Sequence, residues 1–65
     1  MQNENGSQRI YLTAKDIMEL LGVSKSKAYG LIRKLNAELE AEGYIVITGK
    51  VSKKRFEERI YGMAL

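Results

Sequence analysis

The chain has 65 residues, enough for one small domain, and its 11 lysines and arginines against 8 acids give a net charge of +3. Cysteine and histidine are both absent, so disulfides, thiolate metal sites and the commonest general base are excluded; we expect no enzyme, no cofactor and no metal site. No apolar run approaches the length of a membrane span and the N-terminus is polar, so we expect a cytoplasmic protein without membrane or signal segments.

Polar residues without periodicity fill positions 1–8 and predict a disordered tail, while a regular pattern begins at Ile10. The folded domain is expected over 9–62, and 63–65 form an apolar C-terminal tail. Three helix starts share one motif, in which a hydroxyl residue is preceded by an apolar residue and followed four positions later by another. Such residues cap helices, with the flanking apolar pair packed together. The three are Thr13, Ser24 and Ser52, and Asp16 adds a capping box to the first.

The first helix is predicted over 14–21, with Ile17, Leu20 and Leu21 buried on one face and Gly22 ending it in a left-handed conformation. The second helix is predicted over 25–42 and is stopped by Gly43. Its apolar positions follow the spacing of an amphipathic helix. They are Ala28, Leu31, Ile32, Leu35 and Leu39.

Residues 44–47 are aromatic and β-branched and predict a strand, followed by a tight turn over 48–50 and a brief return strand from Lys50. A third helix is predicted from Lys53 to about Tyr61, with Phe56 and Ile60 facing inward and Gly62 ending it. The expected fold class is mostly α with a small β-hairpin. Its architecture is a winged helix-turn-helix with three helices plus a minimal wing.

Charges along the second helix run in the reverse of the usual order. Lysines and arginines occupy 25–34 without any acid, whereas three glutamates and no base occupy 38–42. The helix dipole favours the opposite order, so this arrangement costs about 0.3–1 kcal/mol per charge near each end for an isolated helix. Phosphate groups near the basic end turn that cost into a gain. The pattern therefore indicates a basic end for double-stranded DNA and an acidic end turned away from it and free for a protein partner.

Two basic surfaces are the candidate DNA-binding sites. The first lies on the second helix and its cap, where Lys and Arg can contact guanine edges and Ser26 can bond several bases. Its members are Ser24, Lys25, Ser26, Lys27, Tyr29, Gly30, Arg33 and Lys34. The second lies at the wing and the start of the third helix, and comprises Lys50, Lys53 and Lys54. The lysines of this second surface either contact phosphates or form an ordinary solvated charged face.

Two members of the first surface have open alternatives. Tyr29 lies beside the buried stripe and is either a phosphate contact or a half-buried core tyrosine. Gly30 costs about 1 kcal/mol relative to Ala in a helix interior. It either lets the helix approach the groove closely or is a tolerated surface glycine.

The run from Tyr11 to Arg33, including Leu20-Leu21-Gly22-Val23-Ser24-Lys25-Ser26-Lys27-Ala28-Tyr29, resembles the opening of the excisionase-type winged helix-turn-helix family. That family is related to the DNA-binding domains of mercury-resistance-type regulators. Residues 45–56 are similar to its wing and closing helix. The resemblance covers about residues 10–62, and the chain departs from the family at Gly30 and in a second helix that continues beyond Arg33.

The resemblance implies a small sequence-specific DNA-binding protein of a phage or mobile element that steers recombination toward excision. By resemblance, Ser24, Lys25, Ser26, Lys27, Tyr29 and Arg33 fall on DNA-facing positions. One alternative is a phage- or plasmid-type transcriptional regulator with the same fold. Another is a protein-interaction module using the acidic end of the second helix and the apolar C-terminus. We expect nucleoid association, self-association on DNA, and an integrase, recombinase or other protein partner.

Overall fold

The computed structural model describes residues 10–61, which contain three helices and a two-stranded antiparallel sheet. In chain order the elements are β1 (Tyr11–Thr13), α1 (Ala14–Leu21), α2 (Lys25–Ala41), β2 (Lys50–Ser52) and α3 (Lys53–Tyr61). The predicted helices are confirmed to within one residue at each described end, and the fold class is confirmed as that of a small winged helix-turn-helix. The predicted tails at 1–8 and 63–65 and the stop at Gly62 lie outside the described residues.

Hydroxyl side chains begin all three helices, as predicted. Thr13 Oγ1 accepts the backbone N–H of Asp16 at 3.3 Å, and the Thr13 N–H donates to Asp16 Oδ2 at 2.9 Å, which completes a capping box. Ser24 Oγ accepts the Lys27 N–H at 3.2 Å. Ser52 Oγ likewise accepts the N–H of the third helical residue of α3 at 3.1 Å. These local bonds satisfy donors that a helix leaves unpaired at its first turn.

The sheet pairs strands from opposite ends of the described chain. β1 lies antiparallel to β2 in the register Leu12 to Val51, whose side chains are both buried. This differs from the predicted hairpin, because residues 44–47 form no strand and Ile47 makes only an isolated bridge to Lys50. Two facts account for the difference: β1 occupies the edge of β2, and the Tyr44 N–H still bonds back into the end of α2.

That end of α2 is a Schellman motif. Gly43 has φ +95°, and its N–H donates to Glu40 O at 3.0 Å. The Tyr44 N–H donates to Leu39 O at 2.9 Å. These bonds end the helix at Gly43, as predicted. They also engage the N–H of Tyr44, the first residue of the predicted strand over 44–47.

One core joins the helices to the sheet. Its buried members come from β1, α1, α2, β2 and α3, and they are Leu12, Ala14, Ile17, Ala28, Ile32, Leu35, Val51 and Phe56. Partly buried side chains surround them, namely Met18, Leu21, Val23, Leu31 and Ile60. Over the described residues, none of the helices is both long and apolar enough to span a bilayer.

The predicted burial of Leu20 is wrong, since its side chain is 56% exposed. The buried face of α1 is formed by Ala14, Ile17, Met18 and Leu21. At 3.6 residues per turn, Leu20 projects roughly 110° away from the centre of that face. Leu39 is buried at the far end of the α2 stripe, as predicted.

Candidate nucleic-acid interface

The exposed side of α2 and its cap, from Ser24 to Lys34, forms a surface that we call the helix surface. Ser24, Ser26 and the four bases are exposed, the bases being Lys25, Lys27, Arg33 and Lys34. Among the described residues, none of these four bases has an acidic partner within 4.0 Å. The helix surface therefore presents positive charge that the rest of the described chain does not neutralise.

The turn before α2 fixes where that charge begins. Gly22 has φ +67° and donates its N–H to Met18 O at 2.8 Å, which ends α1 in the predicted left-handed conformation. Val23 then packs on the core, and Ser24 caps α2. The first turn of α2 contains no acid. Lys25 and Lys27 thus occupy the positive end of the helix dipole without compensation.

Tyr29 and Gly30 both lie on the helix surface. Tyr29 is 40% exposed and does not belong to the buried core, so it borders the apolar stripe. A Cβ atom built on Gly30 would meet no heavy atom within 4 Å. Packing within the chain therefore does not require glycine at position 30.

The turn over residues 47–50, which we call the wing, lies against the middle of α2. The Lys50 N–H donates to Ile47 O at 3.1 Å, and Gly49 has φ +82°, as the third residue of a type II turn requires. Asn36 of α2 is buried, and its Nδ2 donates to Lys50 O at 2.8 Å and to Ile47 O at 3.3 Å. Sequence reasoning missed Asn36, although a polar residue on the apolar stripe of α2 was a visible signal.

The second predicted surface comprises Lys50, Lys53 and Lys54, and we call it the wing surface. Lys50 and Lys54 are exposed, and Lys53 is partly exposed. Within the part of the chain that the structure describes, these three lysines also have no ion pair. The Lys53 N–H donates to Ile10 O at 2.8 Å, which ties the start of α3 to the residue preceding β1.

The acidic end of α2 contacts α3, so the prediction that it is free for a protein partner is wrong at Glu38 and Glu42. Arg55 Nη2 lies 2.6 Å from Glu42 Oε1, and Arg55 Nη1 lies 3.5 Å from Glu38 Oε1. Arg59 Nη2 lies 2.9 Å from Glu38 Oε2. Both glutamates and both arginines are spaced at i and i+4, so each pair lies on one helix face and the two faces match.

These bonds change the ionisation of the groups that make them. Hydrogen bonds from the Arg55 guanidinium lower the pKa of the Glu42 carboxyl below its ordinary value, and in turn raise the pKa of Arg55. Arg55 belongs by sequence to the basic run that contains the wing surface. Because its charge is used inside the molecule, the unpaired positive charge of that run resides on the three lysines.

The wing is offset along α2 from the basic N-terminus of that helix, although Arg33 and Lys34 lie within about 5 Å of helix axis from Asn36. Lys25 and Asn36 are separated by about 16 Å of helix axis at 1.5 Å per residue. The wing is bonded to Asn36, so its backbone lies about three helical turns from the basic N-terminus of α2. An offset of this size exceeds the ~12 Å width of the major groove of B-DNA.

Comparison with known proteins adds an independent line of evidence. No protein-family model matches the chain, and no solved structure matches it. The chain is 56% identical over 48 residues to the ICEBs1 excisionase of Bacillus subtilis (strain 168), an alignment that covers 74% of this chain and 75% of that protein. Identity at this level over most of both chains establishes kinship, and the chain belongs to the excisionase family.

Proposed function

We propose that this protein binds double-stranded DNA sequence-specifically through the helix surface and the wing surface. The observation that carries the proposal is the difference in pairing between two arginines of α3 and the bases of the two surfaces. Arg55 and Arg59 are held by glutamates, whereas the bases of the helix and wing surfaces have no acidic partner among the described residues. Unpaired bases at two helix N-termini oppose both dipoles, and phosphate is the ligand that reverses that cost.

In this proposal α2 enters the major groove with its N-terminus leading. Lys25, Lys27 and Arg33 are placed to bond guanine O6 and N7 or nearby phosphates. Ser26 is exposed beside them and can bond a base edge, and Tyr29 can reach a phosphate with its hydroxyl. Ser24, Gly30 and Lys34 complete the helix surface. The open space around the Cα of Gly30 lets the DNA approach the helix backbone.

The wing surface has a different role. Its offset from Lys25 exceeds the width of the groove, which favours contact with the sugar-phosphate backbone that flanks the major groove. Lys50 lies at the end of the wing, and Lys53 and Lys54 lie at the start of α3. Such contacts fix the register of the protein on DNA rather than its choice of bases.

The name of the B. subtilis relative supports a role in excision. We propose a recombination directionality factor of a mobile element, an accessory protein that performs no catalysis and works with an integrase. The helix-turn-helix resemblance to mercury-resistance-type regulators belongs to the same proposal. A DNA-bound protein of this kind is cytoplasmic and nucleoid-associated. Because one small domain buries little surface on DNA, we include self-association on adjacent sites.

The first test is selection of bound duplexes from a randomised pool, followed by affinity measurement against salt. Four to six phosphate contacts give a slope of log affinity against log salt of roughly −4 to −5. A selected duplex should also be bound at least about tenfold more tightly than a scrambled duplex of equal length. Salt-independent binding, or a pool without enrichment, contradicts the proposal.

The second test separates excision from transcriptional regulation. Recombination between the ends of the element is measured with its integrase, with and without this protein. Stimulated excision supports the directionality role. An unchanged excision level, together with repression of a reporter that contains the selected duplex, supports the alternative of a transcriptional regulator.

A further inference from the structure

Asn36 is the one buried polar side chain among the described residues, with 9% of its surface exposed. It lies on the apolar stripe of α2 between buried Ile32, Leu35 and Leu39. An amide at such a position has a desolvation cost that an apolar residue of the same shape avoids. Its presence therefore calls for a role beyond filling the core.

Hydrogen bonds identify that role. Both partners of Asn36 are carbonyl oxygens, of Ile47 and Lys50, and these can only accept. The amide nitrogen of Asn36 therefore faces the two carbonyls, and its two hydrogens are enough to donate one to each. The two carbonyls belong to the first and last residues of the wing turn, so a single side chain holds both ends of the turn against α2.

The two sides of this contact differ in burial. On the α2 side, Asn36 is surrounded by core residues in a helix that is 17 residues long. On the wing side, Ile47 and Thr48 are exposed, and Ile45 just before the turn is 90% exposed. Besides the pairing of β2 with β1, Asn36 supplies the hydrogen bonds that connect the wing to the body of the protein.

We propose that Asn36 is a positioning residue for DNA binding, which holds the wing at a set distance from the basic end of α2 so that Lys50 reaches a phosphate. The inference rests on the proposed DNA-binding function. Asn36 itself touches no DNA in this scheme, since it is buried beneath the wing. Its effect on affinity passes through Lys50.

A double-mutant cycle tests this coupling. Asn36→Leu removes both donors while keeping the shape of the side chain, and Lys50→Ala removes the wing charge. Affinity for a duplex selected from the randomised pool is measured for the wild type, each single variant and the double variant. Lys25→Ala, alone and combined with Asn36→Leu, is the matched control, because Lys25 lies at the far end of α2. Circular dichroism and thermal unfolding verify that each variant is folded.

Lys50→Ala should weaken binding about five- to tenfold in the wild type and make the salt slope shallower by about 0.9, the value for one phosphate contact. Asn36→Leu should do the same, and adding Lys50→Ala to it should change affinity less than twofold. Lys25→Ala should cost the same factor in both backgrounds. A purely structural role for Asn36 would not single out Lys50 in this way.

Equal costs of Lys50→Ala with and without Asn36→Leu would overturn the inference, as would no cost in the wild type. Asn36→Ala provides a second variant if Asn36→Leu does not fold. Unfolding of both would show that Asn36 is required for folding rather than for positioning. If the wild type itself fails to bind DNA, the proposed function fails, and that result is distinct from uncoupled binding.

Discussion

Arg55 of α3 donates two hydrogen bonds to Glu42, the residue that caps the C-terminus of α2. Arg55 Nη1 donates to Glu42 Oε2 at 2.9 Å, and Nη2 donates to Oε1 at 2.6 Å. Glu38 extends the contact to Arg59, whose Nε lies 3.1 Å from Glu38 Oε1. Two of the three acids that oppose the dipole of α2, Glu38 and Glu42, are therefore the acids that attach α3 to it. Their position has a structural reason that is separate from DNA.

Glu42→Gln should lower the midpoint of thermal unfolding by a few degrees, because it breaks the two-bond contact with Arg55. Glu40→Gln is the matched control, since Glu40 is exposed, carries the same charge in the same turn and has no ion pair among the described residues. Its midpoint should stay level or rise, because a negative charge near a helix C-terminus is unfavourable. Equal effects of both substitutions would assign the loss to net charge rather than to the contact.

The stability difference between wild type and Glu42→Gln should depend on pH. The pKa of Glu42 is lower in the folded protein than its ordinary value of 4.5, so the ionised form is favoured by folding. The difference should be complete above pH 4.5 and shrink as the pH falls through the lowered folded value. Denaturant unfolding of both proteins across the acid range measures it. A difference that grows on acidification would contradict the assigned direction.

Reversing the charge of Lys25 and Lys27 should abolish DNA binding without unfolding the protein. The double substitution to Glu places acids in the first turn of α2, where they match the dipole, so thermal stability should be unchanged or raised. Lys15→Glu makes the same kind of change in the first turn of α1, next to the acids Asp16 and Glu19. It should leave stability close to the wild-type value, because repulsion from Glu19 at i+4 offsets the better match to the dipole, and it should leave most of the affinity intact. Loss of folding in the Lys25/Lys27 variant would mean that these lysines are structural.

Truncation of Ile17 and of Leu20, three residues apart on α1, should change the free energy of unfolding by different amounts. Ile17 is fully buried, and Ile17→Val should cost about 1 kcal/mol of unfolding free energy through the lost methylene. Leu20 is exposed, and Leu20→Ala should change stability by less than about 0.5 kcal/mol. Urea unfolding of the two variants provides the comparison. A larger loss at Leu20 would indicate that its side chain is covered in solution.

Local chemistry made the helices predictable. The helix caps involve residues within a few positions of each other, so the sequence predicts where each helix begins. They are formed by Thr13, Ser24 and Ser52, and the left-handed Gly22 likewise predicts where α1 ends. The bases of the helix and wing surfaces are also visible in the sequence as runs without acids. The structure adds their exposure and the absence of described ion pairs, while their contact with DNA stays a prediction.

Pairings distant in sequence were not predictable by the same means. The strand composition of residues 44–47 suggested a hairpin, but β1 is the strand that pairs with β2. The three residues of β1 are too few to show a periodicity. The bonds of Arg55 to Glu42, of Arg59 to Glu38 and of Asn36 to the wing likewise join residues 11 to 21 positions apart, and their geometry depends on how the helices pack.

The pairing of β1 with β2 also constrains the order in which the protein assembles. The helices α1 and α2 are neighbours in sequence, whereas the chain between β1 and β2 contains both helices, so closing the sheet has a larger loop-closure cost than packing α1 on α2. The wing is exposed at Ile47 and Thr48, and apart from the pairing of β2 with β1 its described hydrogen bonds to the rest of the protein come from the side chain of Asn36. Amide hydrogens of the wing should therefore exchange with solvent sooner than those in the interior of α2, even in the fully folded protein.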